Sequence, residues 1–257
     1  MHPAANMPDD KRKLAKTIAA LQMRFGTRAV RRLGEQERAR VARLETGFPP
    51  LDGALGGGLP CGRITEIACA PTAGATTLAL KVVAQAQVGG ETAVYLDLER
   101  SFDPDYAARC GVDLSRLLLV RPHDAQQACA LLRDFAGASH GVLVCDLPPA
   151  ITADPGLAQT LVTTLGRLLL PLGRSSTVLL CLISLPLGRE GPAPRLPWQH
   201  YAAVRLLLQR ERWLRRGEDI RGYRVQTLVA KNKWGAAGET VTVDITLDGV
   251  VAARGEP

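Results

Sequence analysis

The sequence predicts an α/β fold: a mostly parallel central sheet, an antiparallel hairpin toward the C-terminus and a helical arm at the N-terminus. Three observations carry this expectation. Through the middle of the chain, short and almost wholly apolar runs alternate with helix-like stretches, the pattern of a parallel sheet covered on both faces. Beyond Tyr201 the texture changes to two longer strand-like runs, AAVRLLLQRERWLRR and RGYRVQTLVAKNKW, around a Gly-Glu-Asp turn. Before Thr46 there is no strand pattern but an amphipathic, basic segment. With 257 residues, 46% apolar and 22% charged, the chain can bury one sizeable core and carry an appendage.

From Asp10 to about Leu33 the spacing of Leu14, Ile18, Leu21, Met23 and Phe25 predicts a short amphipathic helix, with Asp9 and Asp10 available as N-cap and Gly26 as its stop. Its apolar stripe would serve equally to pack on the chain's own core or on a neighbouring subunit. The stretch RAVRRLGEQERARVARL that follows reads as a solvated connector, so residues 1–40 are taken as arm and linker and 41–257 as the core. Turn-formers come next: Gly47, Pro49, Pro50 and Gly56-Gly57-Gly58. The predicted strands are Ile64–Ala68, Ala93–Leu98, Leu117–Val120, Val142–Cys145 and Val178–Ile183; the predicted helices are Thr76–Gln87, Asp105–Cys110, Ala125–Phe135 and Pro155–Leu172. The Pro- and Gly-rich stretch from Pro186 to Pro197 predicts a loop.

Composition narrows the function classes. The richest apolar run, Val178 to Leu187, is too short for a membrane span and contains Ser184 and Pro186. The opening MHPAANMPDDKRK lacks the apolar stretch and cleavage site of a secretory signal, so a cytoplasmic protein is expected. The cysteines Cys61, Cys69, Cys110, Cys129, Cys145 and Cys181 form no CxxC pair, and His2, His123, His140 and His200 are scattered, so no metal site is expected. A net charge of +7 and a pI near 9.3 suit contact with a polyanion without specifying one.

The segment EIACAPTAGATTLAL stands in a strand-turn-helix context, where a phosphate-binding loop GxxxxGK[ST] belongs. Cys69 replaces the first glycine and Ala75 the lysine, while Gly74, Thr76 and the following Thr77 remain. The glycine permits a turn that Cβ resists, and the lysine sets a positive charge against the β- and γ-phosphates. Without that ammonium, backbone N–H groups and a helix N-terminus are left to hold a triphosphate. Hydrolysis is therefore expected to be absent, with weak ATP or ADP binding at most and no resident cofactor.

Around this loop the chain resembles the bacterial RecA recombinase family, from near the N-terminus almost to the C-terminus. The resemblance rests on KLAKTIAALQMRFGTRAVRRLGE, TGFPPLDGALGGGLPCGRITEI, YLDLERSFDPDYAARCGVDLSRLLLVRP, YAAVRLLL and VAKNKW. It implies a RecA-like core with a degenerate P-loop and no C-terminal DNA-binding domain. It places Glu99 at the catalytic glutamate and Asp146 at the Walker B carboxylate, both vestigial without the lysine. Asp103 and Tyr106 fall on the residues that hold and stack adenine, although Asp146 could simply end a strand and Tyr106 be a half-buried aromatic. Ile18, Leu21 and Phe25 fall on the subunit-docking helix, and Lys231 and Lys233 on the lysines that reach a neighbour's ATP phosphates. The family's ATP-sensing amide pair reads Ser184 and Leu185 here. Its first DNA loop is shortened to LPPAITADPG, and its second is Pro-rich, with Arg189, Arg195 and Trp198 left to offer charge and stacking.

What the resemblance implies is a non-hydrolysing RecA paralogue of the ImuA type, an accessory factor in the SOS response and translesion mutagenesis. Its partners would be a RecA filament and a Y-family-like polymerase subunit, with DNA bound weakly. Two other readings stay open. One is a divergent recombinase that binds ATP and single-stranded DNA, opposed by Cys69, Ala75 and Leu185. The other is a cell-division inhibitor of the SulA kind, opposed by the retained arm and the KNK segment.

Overall fold

The computed structural model describes residues 9–27, 29–30, 41–138, 141–185, 197–246 and 251–252, the side chains of 9, 152, 251 and 252 excepted. Arg189 and Arg195 lie outside the described residues. The chain divides into two compact units, Met1–Arg40 and Val41–Pro257. In the first, α1 (Asp9–Phe25) ends in a turn where the Gly26 N–H donates to the Gln22 carbonyl, with Gly26 in the left-handed region at φ 85°. Leu14 and Phe25 on this helix are 56% and 57% exposed.

The second unit begins with β1 (Arg43–Leu44), α2 (Pro49–Leu55) and β2 (Leu59–Pro60), the two strands forming a small antiparallel pair. There follow β3 (Ile64–Cys69), α3 (Ala75–Val88), β4 (Ala93–Asp97), α4 (Pro104–Arg109), β5 (Leu117–Val120), α5 (Ala125–Ala136), β6 (Val142–Leu147), α6 (Pro149–Ala153), α7 (Pro155–Gly173) and β7 (Val178–Ser184). The chain closes with β8 (Val204–Arg216), β9 (Asp219–Asn232), β10 (Thr240–Thr246) and β11 (Val251–Ala252). Aspartates start the helices: the carboxylates of Asp103, Asp124 and Asp154 accept from backbone N–H groups of the first turn of α4, α5 and α7, and prolines follow Asp103 and Asp154. The expected short loop after Asp146 is helical instead, because Pro148 and Pro149 preset φ for α6 and Asp154 then caps α7.

The main sheet has nine strands in the order β11-β10-β9-β8-β3-β7-β6-β4-β5. From β8 to β5 every pairing is parallel, and β9, β10 and β11 continue antiparallel. The α/β architecture expected from the sequence, parallel centre and C-terminal hairpin included, is thus observed, and β10 extends the hairpin by a third strand. One core lies on the α3 face, with Ile67, Leu80, Tyr95 and Val229; the other lies on the α5 and α7 face, with Leu132, Leu143, Leu165 and Trp198. Strands β3 and β6 are buried at every position, which is why they read as mostly apolar runs, with Thr65, Glu66 and Asp146 as their buried polar members. Gly222 allows β9 to approach β10 closely, since a Cβ there would stand 2.2 Å from the Ile245 carbonyl oxygen.

A buried ion pair links two neighbouring strands of this sheet. Glu66 on β3 is 1% exposed, and its Oε1 accepts from Arg205 Nε at 2.7 Å across the β3–β8 ladder. Burial raises the Glu66 pKa, and Arg205 opposes the rise. Its Oε2 has no hydrogen-bond partner, so the carboxylate depends on Arg205. We predict that Arg205→Leu costs about 3–5 kcal/mol at pH 7 by stranding a buried charge, whereas Glu66→Leu with Arg205→Leu recovers most of the loss. Urea unfolding of both variants checks this.

Candidate functional site

All parallel strands end at one edge, and there the register aligns Cys69 with Ser184 and Leu208, and Asp97 with Asp146. Beyond this edge lies a cavity of about 340 Å³, walled by the loop from Pro71 to Gly74, the start of α3, and Tyr223 of β9. The loop has the shape of a phosphate-binding turn. Gly74 adopts φ 99°, where a Cβ would also meet Ile245 Cδ1 at 2.7 Å, and α3 starts directly after it. Thr72 is held at φ 63°, a strained region for a β-branched residue. Cys69 is buried; burial pushes its thiol up, against the pull of the backbone N–H groups of Ala75 and Ala73.

Of the residues singled out in the sequence, the structure brings Gly74, Thr76, Thr77, Glu99, Tyr106 and Asp146 together around the cavity. Asp103 does not line it: its carboxylate accepts from the Tyr106 N–H at 3.0 Å as the cap of α4. Tyr106 shares a 2.6 Å hydrogen bond with the Thr77 hydroxyl, and the Arg109 guanidinium stands 5.6 Å from its ring centroid. Burial pushes Tyr106 up to about 12, so its hydroxyl stays protonated. Tyr223, missed in the sequence, also lines the cavity, so two tyrosines from different elements stand beside the first turn of α3.

Three carboxylates crowd the strand edge and each is compensated differently. Asp97 is wholly buried and accepts from the Ser101 N–H at 2.9 Å and Arg121 Nε at 3.0 Å. Asp146 is 9% exposed and accepts from the Tyr95 hydroxyl at 2.9 Å. Burial raises Asp146 to about 6, with Glu99 and Asp97 adding to the rise and the Tyr95 hydrogen bond opposing it. Glu99 is exposed at the rim. Among the described residues that line the cavity there is no Lys or Arg.

The remaining sequence-predicted residues lie elsewhere. Trp198 is a correction: it is 2% exposed within the α7-side core, so it cannot stack on a base. Lys231 and Lys233 stand at the end of β9; their ammonium groups donate to the carbonyls of Gln199 at 2.7 Å and His200 at 2.9 Å, respectively. Burial and Lys233 lower the pKa of Lys231. Ser184 lines the cavity, while the Leu185 N–H donates to the Cys69 carbonyl at 2.7 Å and its side chain packs on the core. Ile18 is half-buried and Leu21 and Phe25 are exposed on α1. Among the described residues no group of His, Cys, Asp and Glu could hold a metal, and no helix is long and apolar enough to cross a membrane.

Comparison with known proteins agrees with this topology. The model of the RecA N-terminal domain matches residues 12–158. Protein RecA of Crocosphaera subtropica is 33% identical over 254 residues, covering 91% of this chain and 73% of that protein. Protein RecA of Caulobacter vibrioides is 31% identical, covering 96% of this chain and 76% of its own length. A crystal structure of the RadB recombinase superposes with a TM-score of 0.64 over 80% of this chain and 97% of that one, at 20% identity, a likeness of fold.

Asp146 gives a titration to measure. Its folded pKa of about 6 lies above the ordinary 3.8, so the ionised form carries a penalty in the fold. The contribution of this group to stability is therefore greatest below pH 4 and declines as the pH rises through about 6. Asp146→Asn should stabilise the protein by about 2 kcal/mol at pH 7.5 and by nothing at pH 4, as read from urea midpoints at the two values.

Proposed function

The chain belongs to the RecA family, and on that premise we propose that it is a non-hydrolysing member that works as an accessory factor in the response to DNA damage. It docks on a RecA filament and serves beside an error-prone polymerase subunit of the Y-family kind. The carrying observation is the charge inventory of the cavity: Glu99 and Asp146 line it, Ala75 stands at the start of α3, and among the described lining residues no lysine or arginine joins them. The loop itself thus lacks the ammonium that stabilises the charge on a transferring phosphoryl group, which hydrolysis requires. This supports a scaffold role in preference to a divergent recombinase.

Docking is supported by the surfaces that remain. The apolar side chains of α1 are exposed in its own unit, Met23 by 85%. Lys231 and Lys233 need only exchange two backbone carbonyls for the phosphates of a neighbour's nucleotide, carbonyls that water can satisfy. A subunit of this kind accepts the filament on one face and, with its own site defective, ends it.

The protein should show no ATP turnover above a Glu99→Gln control, with or without single-stranded DNA. Capture of RecA in ATP should fall with Lys231→Ala plus Lys233→Ala, because a charge facing a triphosphate across an interface is costly to lose. Turnover above the control would revive the recombinase, and unchanged capture would end the docking reading.

A further inference from the structure

The β8–β9 ribbon is not a regular ladder. Arg210 stands opposite Val225 and Arg212 opposite Arg224, so Glu211 is one residue more than the partner strand can match. Beyond this bulge Trp213 pairs with Tyr223, which puts Arg210, Trp213 and Tyr223 on one face of the ribbon, the face that walls the cavity, and turns Arg212 to the other. Arg210 is fixed there from two sides. Its Nη1 donates to Thr72 Oγ1 in the phosphate-type loop at 3.0 Å, and its guanidinium lies 4.5 Å from the Trp213 ring centroid. Among the described residues it forms no ion pair with a carboxylate.

From this arrangement we propose that Arg210 takes over the charge missing at Ala75 and makes the cavity a receptor for a phosphate-bearing anion such as a nucleoside di- or triphosphate. The carboxylates of Glu99 and Asp146 repel an anion from the inner wall, so binding requires a cation at the outer rim. Arg210 is held on the loop itself, with only one of its five N–H groups used by Thr72. Its planar fork suits a phosphate, and stacking on Trp213 orients it before the ligand arrives. The loop contributes its N–H groups, and Arg210 supplies the charge from a strand far away in sequence. The site stands whether or not the chain docks on a filament.

The test is a titration with a fluorescent ATP analogue carrying its label on the ribose. Wild-type protein should bind it, inorganic pyrophosphate should displace it and adenosine should not. Arg210→Gln, which keeps a donor for Thr72 but loses the charge, should bind about tenfold more weakly, the loss of one charge-assisted hydrogen bond. Arg210→Lys should retain most of the affinity, and Arg212→Gln on the opposite face should match wild type. Equal binding by Arg210→Gln, displacement by adenosine as well as by pyrophosphate, or no wild-type binding at millimolar analogue would each overturn the proposal. None of these outcomes bears on RecA capture, so the two readings fail separately.

Discussion

The site depends on one constraint, the parallel register of β3 between β7 and β8. Parallel strands bring all their carboxyl ends to one edge, and whatever follows each strand is delivered there together. Cys69, Ser184 and Asp146 meet around one cavity for that reason, although far apart in sequence. Glu66 is also a product of this register, since it stands beside Arg205 only while the ladder is kept. The buried pair therefore reports directly on the alignment that forms the cavity.

Much of the fold was legible because its signals are local. A strand buried on both faces is mostly apolar, so the runs around Ile67 and Leu143 mark β3 and β6. The substitutions at Cys69 and Ala75 were legible for the same reason, since a phosphate-binding loop is a contiguous pattern. What escaped was tertiary. Trp198 beside basic residues resembles a stacking platform, and only the packing of the α7 layer reveals it as core. Asp103 was assigned by resemblance, yet its carboxylate has ordinary work as a helix cap. Arg210 and Tyr223 gave no signal, because a side chain's face in a ribbon cannot be counted by twos across an unseen bulge.

The electrostatics of the edge follow a single logic. Asp97 is neutralised by Arg121 and backbone donors, Asp146 has one neutral donor and a raised pKa, and Glu99 is left to solvent. A phosphate-binding loop normally faces such carboxylates with a lysine between; here the gap is filled only from outside. Tyr95 and Tyr106 meanwhile supply hydroxyls in an apolar setting, satisfying Asp146 and Thr77 without adding charge.

The bulge at Glu211 has one further consequence. Were the ladder regular, Arg212 would stand opposite Tyr223 and Trp213 would turn to the far side, so chain length, as much as residue identity, decides what the ribbon shows to the loop. Because the surplus residue is absorbed within one step of the ladder, the side chains on either side keep their faces. The ribbon can therefore drift in length beyond Trp213, toward its tip, during evolution while the loop-facing trio stays in place, whereas loss of the surplus residue itself would turn Trp213 away from the loop.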